Sequence, residues 1–195
     1  MVSFQALTKG FASACCRKYH GQTIFPHPHQ VFINHRGPDT KRNISGLLHD
    51  HLLRHGLRPF LDYRNLKAGE KLPEKINTAI RDCKVGVVVF SPRYCESFCC
   101  LHELALLMEY QKRVVPIFYN VKPSQLRVED IHNNGTGRVS EKDLERFSRA
   151  LGEAKNIVGL CFDSSRGYWS EFIRSASDAI IEQIDKSDPE SVSEI

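Results

Sequence analysis

Apolar positions along this chain switch between two rhythms, and the switches mark the elements. Val31-Phe32-Ile33 is a short apolar run of strand type. From Asp39 to His55 the rhythm is helical: Ile44, Leu47, Leu48 and Leu52 recur at three- and four-residue spacing. Asp39 or Thr40 stands where a cap belongs, and Gly56 follows as the stop. Leu57 to Leu61 returns to a strand pattern, and Pro59 confines it to a sheet edge because proline has no N–H to give a ladder. Asp62 to Leu72 is a polar loop containing Gly69, and Pro73 opens a helix whose apolar face is Ile76, Ala79 and Ile80. Val85 to Phe90 is apolar on both faces, the mark of a central parallel strand covered on each side. A helical region runs from Ser91-Pro92 to about Tyr110, with Phe98, Leu101, Ala105 and Met108 as its inward stripe. Val114 to Tyr119 is a fourth strand, and residues 120–139 are irregular. Ser140 with Asp143 opens a helix with Leu144, Phe147 and Leu151 inward. Ile157 to Phe162 is a fifth strand, and Tyr168 to Ile184 a last amphipathic helix on Trp169, Phe172, Ile173, Ala176 and Ile180.

Strands alternating with helices imply a parallel sheet with right-handed crossovers. Five strands favour a flavodoxin-like, doubly wound α/β fold of order 2-1-3-4-5, with helices on both faces. In that order the switch point lies between strands 1 and 3, and ligands bind beyond their carboxyl ends. Asn34-His35-Arg36-Gly37 follows strand 1, the segment from Ser91 follows strand 3, and the loop after strand 2 lies near the same rim.

Composition narrows the classes. The 195 residues suit one domain, here 30–185, between a basic leader (1–29) and an acidic tail (186–195), both expected to be disordered. The leader carries Lys9, Arg17 and Lys18 and no acid, so a chloroplast transit peptide is its alternative reading. A net charge of +4, from 27 basic and 23 acidic residues, is too weak for a dedicated nucleic-acid binder. No apolar run approaches the roughly 18–20 residues of a membrane span. Seven cysteines with no C-x₂-C pair, and no secretory signal, fit a reducing cytosol or nucleus and no metal site.

Several chemistries fail on missing residues. A phosphorylatable Asp at the end of strand 3 is replaced by Ser91, and only Arg36-Gly37-Pro38 stands where a dinucleotide fold needs G-x-G-x-x-G. Neither a Walker A pattern nor a G-x-S-x-G elbow occurs. What remains is the helix after strand 3. Between Phe98 and Tyr110 only His102, Glu103 and Glu109 are polar, and a helix apolar nearly all round is buried or meets a partner. Glu103 is therefore expected to be partly desolvated, which raises a carboxyl pKa and suits proton chemistry. On spacing alone, an ordinary rim carboxylate is the competing reading.

Four motifs in order carry a family resemblance. Phe32-Ile33-Asn34-His35-Arg36-Gly37-Pro38-Asp39-Thr40 resembles the plant TIR-domain opening F-x-S-F-R-G-x-D-T, and Asp62 to Leu72 resembles its BB loop. Ser91-Pro92-Arg93-Tyr94 through Cys100-Leu101-His102-Glu103-Leu104 is similar to S-x-x-Y…C-L-x-E-L, and Val115 to Ser124 to P-[IV]-F-Y-x-V-x-P-S. The set covers about residues 30–185, and with no nucleotide-binding or leucine-rich-repeat region beside it the chain resembles the TIR-only proteins of plants. The resemblance implies an NAD-consuming enzyme of innate immunity, active when self-associated, with Glu103 as the catalytic residue. NAD or NADP is then the substrate, and no cofactor is needed. The same resemblance assigns the nucleotide pocket to His35, Arg36, Gly37, Pro38, Asp39, Thr40, Asp62, Gly69, Ser97 and Cys99. Arg36 orients phosphate or fixes the loop, in competition with a purely structural pair to Asp39. Asp62 and Gly69 have competing readings as a strand-end cap and a turn residue. The chain departs from the family at Asn34 (serine), His35 (an aromatic), Cys99 (tryptophan) and Gly46-Leu47 (the Ser-His pair of one self-association surface). Expected partners are further copies of the chain and other TIR-domain proteins. A non-enzymatic adaptor that binds other TIR domains is the alternative function.

Overall fold

The computed structural model describes residues 17–19, 22–24, 29–61, 72–128, 131 and 139–187. Five parallel strands form one sheet: β1 (Val31–His35), β2 (Pro59–Phe60), β3 (Val85–Phe90), β4 (Arg113–Tyr119) and β5 (Leu160–Phe162). Their order is β2-β1-β3-β4-β5, as the alternation of the sequence requires. Register sets Asn34 beside Val88 and His35 beside Val89, so the carboxyl ends of β1 and β3 finish together. Two three-residue strands, Arg17–Tyr19 and Gln22–Ile24, pair antiparallel within the leader.

Side chains on a strand alternate between faces, and each face of the sheet has its own helices. Phe32, Val88 and Phe90 point to the layer formed by α2 (Leu72–Asp82), α3 (Phe98–Glu109) and α4 (Glu141–Lys155), where they meet Ile80, Leu104 and Phe147. Val31, Ile33, Val87 and Val89 face α1 (Ile44–Arg54) and α5 (Trp169–Asp185), packing on Leu48, Leu52, Ala176 and Ile180. Gly86 has a packing role on β3. A Cβ there would lie 2.6 Å from Leu107 Cδ2, so the glycine admits the fully buried Leu107 of α3 against the sheet. The far end of α3 is tied to α4 by Arg146, whose guanidinium donates to Glu109 at 2.8 Å and bonds His102 Nδ1 at 2.9 Å.

The structure corrects the pattern at several points. The helix expected from Asp39 to His55 is two pieces, a single turn at Gly37–Thr40 and then α1. Asn43, at φ −127° and ψ −113°, leaves helical geometry between them, and its side chain rather than that of Asp39 or Thr40 accepts the Ile44 N–H. Gly56 takes φ +78°, the left-handed stop that glycine adopts without strain. The edge strand keeps only Pro59–Phe60, and the fifth strand starts at Leu160 rather than Ile157. Leu144 is exposed, so α4 turns inward on Phe147, Ala150, Leu151 and Ala154. The stripe of α3 is rotated as well. Ser97 caps it after a short turn at Tyr94–Glu96, which leaves Phe98 exposed and buries Cys100, Leu101, Leu104, Ala105 and Leu107. Among the described residues, no helix is long and apolar enough to cross a membrane.

Candidate active site

A cleft of about 410 Å³ opens at the carboxyl ends of β1 and β3. His35, Arg36, Gly37 and Pro38 line one wall as the chain leaves β1, and Ser97, Phe98, Cys99 and Glu103 line the other at the start of α3. Seven of the residues singled out in the sequence thus meet in one place: His35, Arg36, Gly37, Pro38, Ser97, Cys99 and Glu103. Asp39 and Thr40 do not line the cleft; they brace it. Asp62 and Gly69 lie outside the described residues.

Glu103 sits one turn into α3, half-buried, and its direction is fixed from β1. Asn34, fully buried, donates from Nδ2 to Glu103 Oε2 at 2.8 Å and to the Cys100 carbonyl at 3.2 Å. The phenol of Tyr94, also fully buried, donates to Asn34 Oδ1 and lies 3.0 Å from the same carbonyl. Burial pushes the Tyr94 hydroxyl well above its ordinary pKa, with the charge of Glu103 adding to it. Burial raises the Cys100 and Cys99 thiols too, and in both Glu103 is the second cause. The phenol and both thiols are therefore neutral at physiological pH, and a carboxylate stands among groups that do not compete with it for charge.

The opposite wall carries the positive charge. Arg36 donates to Asp39 at 3.2 Å and to Glu96 at 3.4 Å, while its Nε is buried with no hydrogen-bond partner among the described residues. Asp39 holds two loops together, accepting from Arg36, from Arg93 and from the Ser91 hydroxyl at 2.8 Å. The two loops are those that follow β1 and β3, so this one carboxylate ties together the segments that lead to the two walls of the cleft. Thr40, buried, donates to the Arg36 carbonyl at 3.1 Å and accepts from Ser45. Ser97 caps α3 by accepting the Cys100 N–H at 3.3 Å, so its hydroxyl has a structural task beside the cleft. At Gly37, among the described residues beyond its chain neighbours, no side chain lies within 4 Å of the place a Cβ would take, and Gly37 lines the cleft. His35 is buried, with Nδ1 3.3 Å from the Ile33 carbonyl.

Sequence reasoning put Asn34 and the segment from Ser91 on this rim but gave Asn34, Tyr94, Glu96 and Phe98 no role in the site. A signal existed for two of them. Asn34 falls two residues after Phe32 and so on the face toward α3, and Tyr94 lies within the motif that starts at Ser91. Among the described residues, no three His, Cys, Asp or Glu side chains cluster as a metal site would need.

A doubly wound parallel sheet with a fixed carboxylate in the cleft at its switch point defines a class of α/β domain, and comparison with known proteins resolves the class. The TIR domain family model matches residues 28–194, and this chain belongs to that family. It is similar to the probable 2' cyclic ADP-D-ribose synthase BdTIR of Brachypodium distachyon, 46% identical over 81% of this chain and 70% of that protein. It is 34% identical to the disease resistance protein RUN1 of Vitis rotundifolia, over 80% of this chain but 12% of that much longer protein. Among solved structures, the TIR domains of the activated Roq1 resistosome, which recognises the pathogen effector XopQ, superpose with a TM-score of 0.66 at 30% identity, covering 78% of this chain and 99% of that one. The TIR domain of the Hydra magnipapillata receptor TRR-2 shares the fold, with a TM-score of 0.53 at 17% identity over 80% of this chain and 98% of that one.

Proposed function

We propose that this chain cleaves the bond between nicotinamide and ribose in NAD, with Glu103 as the catalytic residue, and that the product signals in plant defence. The observation that carries the reading is the Glu103 carboxylate, fixed by a 2.8 Å hydrogen bond from buried Asn34 and facing a cleft whose other wall holds Arg36. The 46% identity to a probable 2' cyclic ADP-D-ribose synthase supports it.

Breaking the glycosidic bond sends the bonding pair to the pyridinium nitrogen. Nicotinamide leaves neutral, and the ribose carbon is left as an oxocarbenium-like cation. A carboxylate beside that carbon stabilises the charge where it develops, worth several kcal/mol in a partly dry site. Water adding at the carbon, with loss of a proton, gives ADP-ribose. A hydroxyl of the same molecule adding there, with loss of its proton, gives a cyclic isomer. Arg36 suits the diphosphate, since a guanidinium offers several donors in a fixed plane and its buried Nε has no hydrogen-bond partner among the described residues. Self-association, with copies of this chain or with other TIR domains, is the proposed condition for turnover.

The test incubates the full chain at rising concentration with NAD and follows nicotinamide release. Wild type turns over, Glu103→Ala does not, and specific activity climbs with protein concentration. Equal inactivity of both proteins at every concentration refutes the enzyme and favours an adaptor. Separation of the nucleotide products then assigns hydrolase or cyclase.

A further inference from the structure

The fold places a buried amide directly behind the carboxylate on which the chemistry depends. Asn34 is 0% exposed, on a strand whose neighbours Phe32 and Ile33 are core residues. A buried side-chain amide in that setting costs free energy unless its hydrogen bonds are met. Here three partners lie within one small volume: Glu103 Oε2, the Cys100 carbonyl and the Tyr94 hydroxyl. The partners also fix which end of the amide is which. A carboxylate and a carbonyl both accept, so nitrogen faces Glu103 and Cys100, and oxygen receives the Tyr94 proton. The Tyr94 ring is itself clamped, edge-on to Phe90 at 4.8 Å. Its hydroxyl holds the amide, and the amide holds the carboxylate.

We infer that Asn34 is a positioning residue: its Nδ2 aims and charges the Glu103 carboxylate into the cleft, and Tyr94 acts through it. The inference rests on the reading of Glu103 as the catalytic group. Position 34 departs from the serine of the family's opening motif, and a hydroxyl on a shorter arm does not span the same gap in the same way. The amide therefore sets the carboxylate by this chain's own means. Among the described residues, the titratable and charged groups around Glu103 are Tyr94, Cys99, Cys100, His35, Arg36 and Glu96. Burial keeps the phenol and the two thiols neutral through the acid range, so none of the three contributes an acid limb.

The experiment uses the full chain with carboxyl-¹³C glutamate. The Glu103 resonance is assigned by its loss in Glu103→Gln, and its titration is read beside the kinetics of nicotinamide release. In Asn34→Ala the Glu103 midpoint rises by about one pH unit, because a donor to the charged form has gone. The same variant lowers kcat on the order of tenfold to a hundredfold with KM within about threefold, the cost of one hydrogen bond to a charged group. Tyr94→Phe moves both readouts in the same direction by less, and Asn34→Ser falls between wild type and Asn34→Ala. A midpoint and kcat unchanged in Asn34→Ala overturn the inference. Should that variant fail to fold, unchanged readouts in both Asn34→Ser and Tyr94→Phe overturn it instead. The titration needs no turnover. An inactive wild type whose Glu103 midpoint still moves in Asn34→Ala sinks the enzyme reading alone and leaves the positioning contact standing. An active wild type with an immobile midpoint sinks the positioning contact alone.

Discussion

Two clefts open on the carboxyl rim of the same sheet, and they differ in kind. The one between β1 and β3 encloses about 410 Å³, and the one between β4 and β5 about 640 Å³. In the smaller, buried Asn34, itself bonded by buried Tyr94, donates to Glu103, and Asp39, with a side chain 7% exposed, ties Arg36 to Arg93 beside the cleft. In the larger, the side-chain hydrogen bonds are exposed. Asn120 donates from Nδ2 to the Ser164 hydroxyl at 2.8 Å and accepts the Ser164 N–H at 2.8 Å, which closes the loop after β4 onto the loop after β5. Volume therefore does not mark the site. Charge held at low exposure by partners from separate elements marks it, because there the environment, rather than water, sets what a carboxylate can do.

Substitutions can break this contrast or sharpen it. The largest effect belongs to Glu103→Gln, which keeps shape and removes charge. Nicotinamide release falls on the order of 10³-fold, whereas Lys122→Ala in the larger cleft changes it less than about twofold. A comparable loss in both variants would abolish the distinction. Next comes Asp39→Ala. It takes one of two carboxylates from Arg36 and the acceptor from buried Ser91, and urea unfolding should record a loss of about 2 kcal/mol, less than for a buried ion pair broken outright because Glu96 still pairs with Arg36. Asn120→Ala is milder, about 1 kcal/mol, from two exposed hydrogen bonds and an alanine held at the φ of +53° that asparagine tolerates. Nicotinamide release in that variant stays within about twofold of wild type. The smallest effect is at Cys99. Burial first and the Glu103 charge second hold its thiol above the ordinary value, so alkylation at pH 8 is slow. Glu103→Gln removes the second cause, the thiol pKa falls, and Cys99 labelling monitored by mass spectrometry speeds up by about threefold. Unchanged labelling would place Cys99 beyond the reach of that charge.

Much of this was legible before any coordinates. Val85 to Phe90 reads as a central strand and is one, since an all-apolar run can be buried on both faces in few other places. Pro59 reads as an edge and sits at one. The errors share a cause. Leu144 and Phe98 follow a helical period yet are exposed, because period gives the angle between side chains and not the rotation of the helix about its axis. That rotation came from the Ser97 cap and from the space that Gly86 leaves for Leu107, a contact across 21 positions of sequence. The break at Asn43 was hidden for a similar reason: Asp39 has cap chemistry, but its oxygens are taken by Ser91, Arg36 and Arg93.

The sequence by itself determined the alternation of elements, the order of the sheet and hence the rim on which a ligand site belongs, because periodicity and turn residues act locally and topology follows from few rules. It also singled out Glu103, through an apolar helix with few polar positions and a family motif. Only the tertiary structure decided how that carboxylate is held. Asn34 and Glu103 are 69 positions apart, and a hydrogen bond between them at 2.8 Å exists because β1 and α3 pack at one switch point. No local pattern encodes such a contact: hydrogen bonding acts over about 3 Å in space, whatever the distance along the chain.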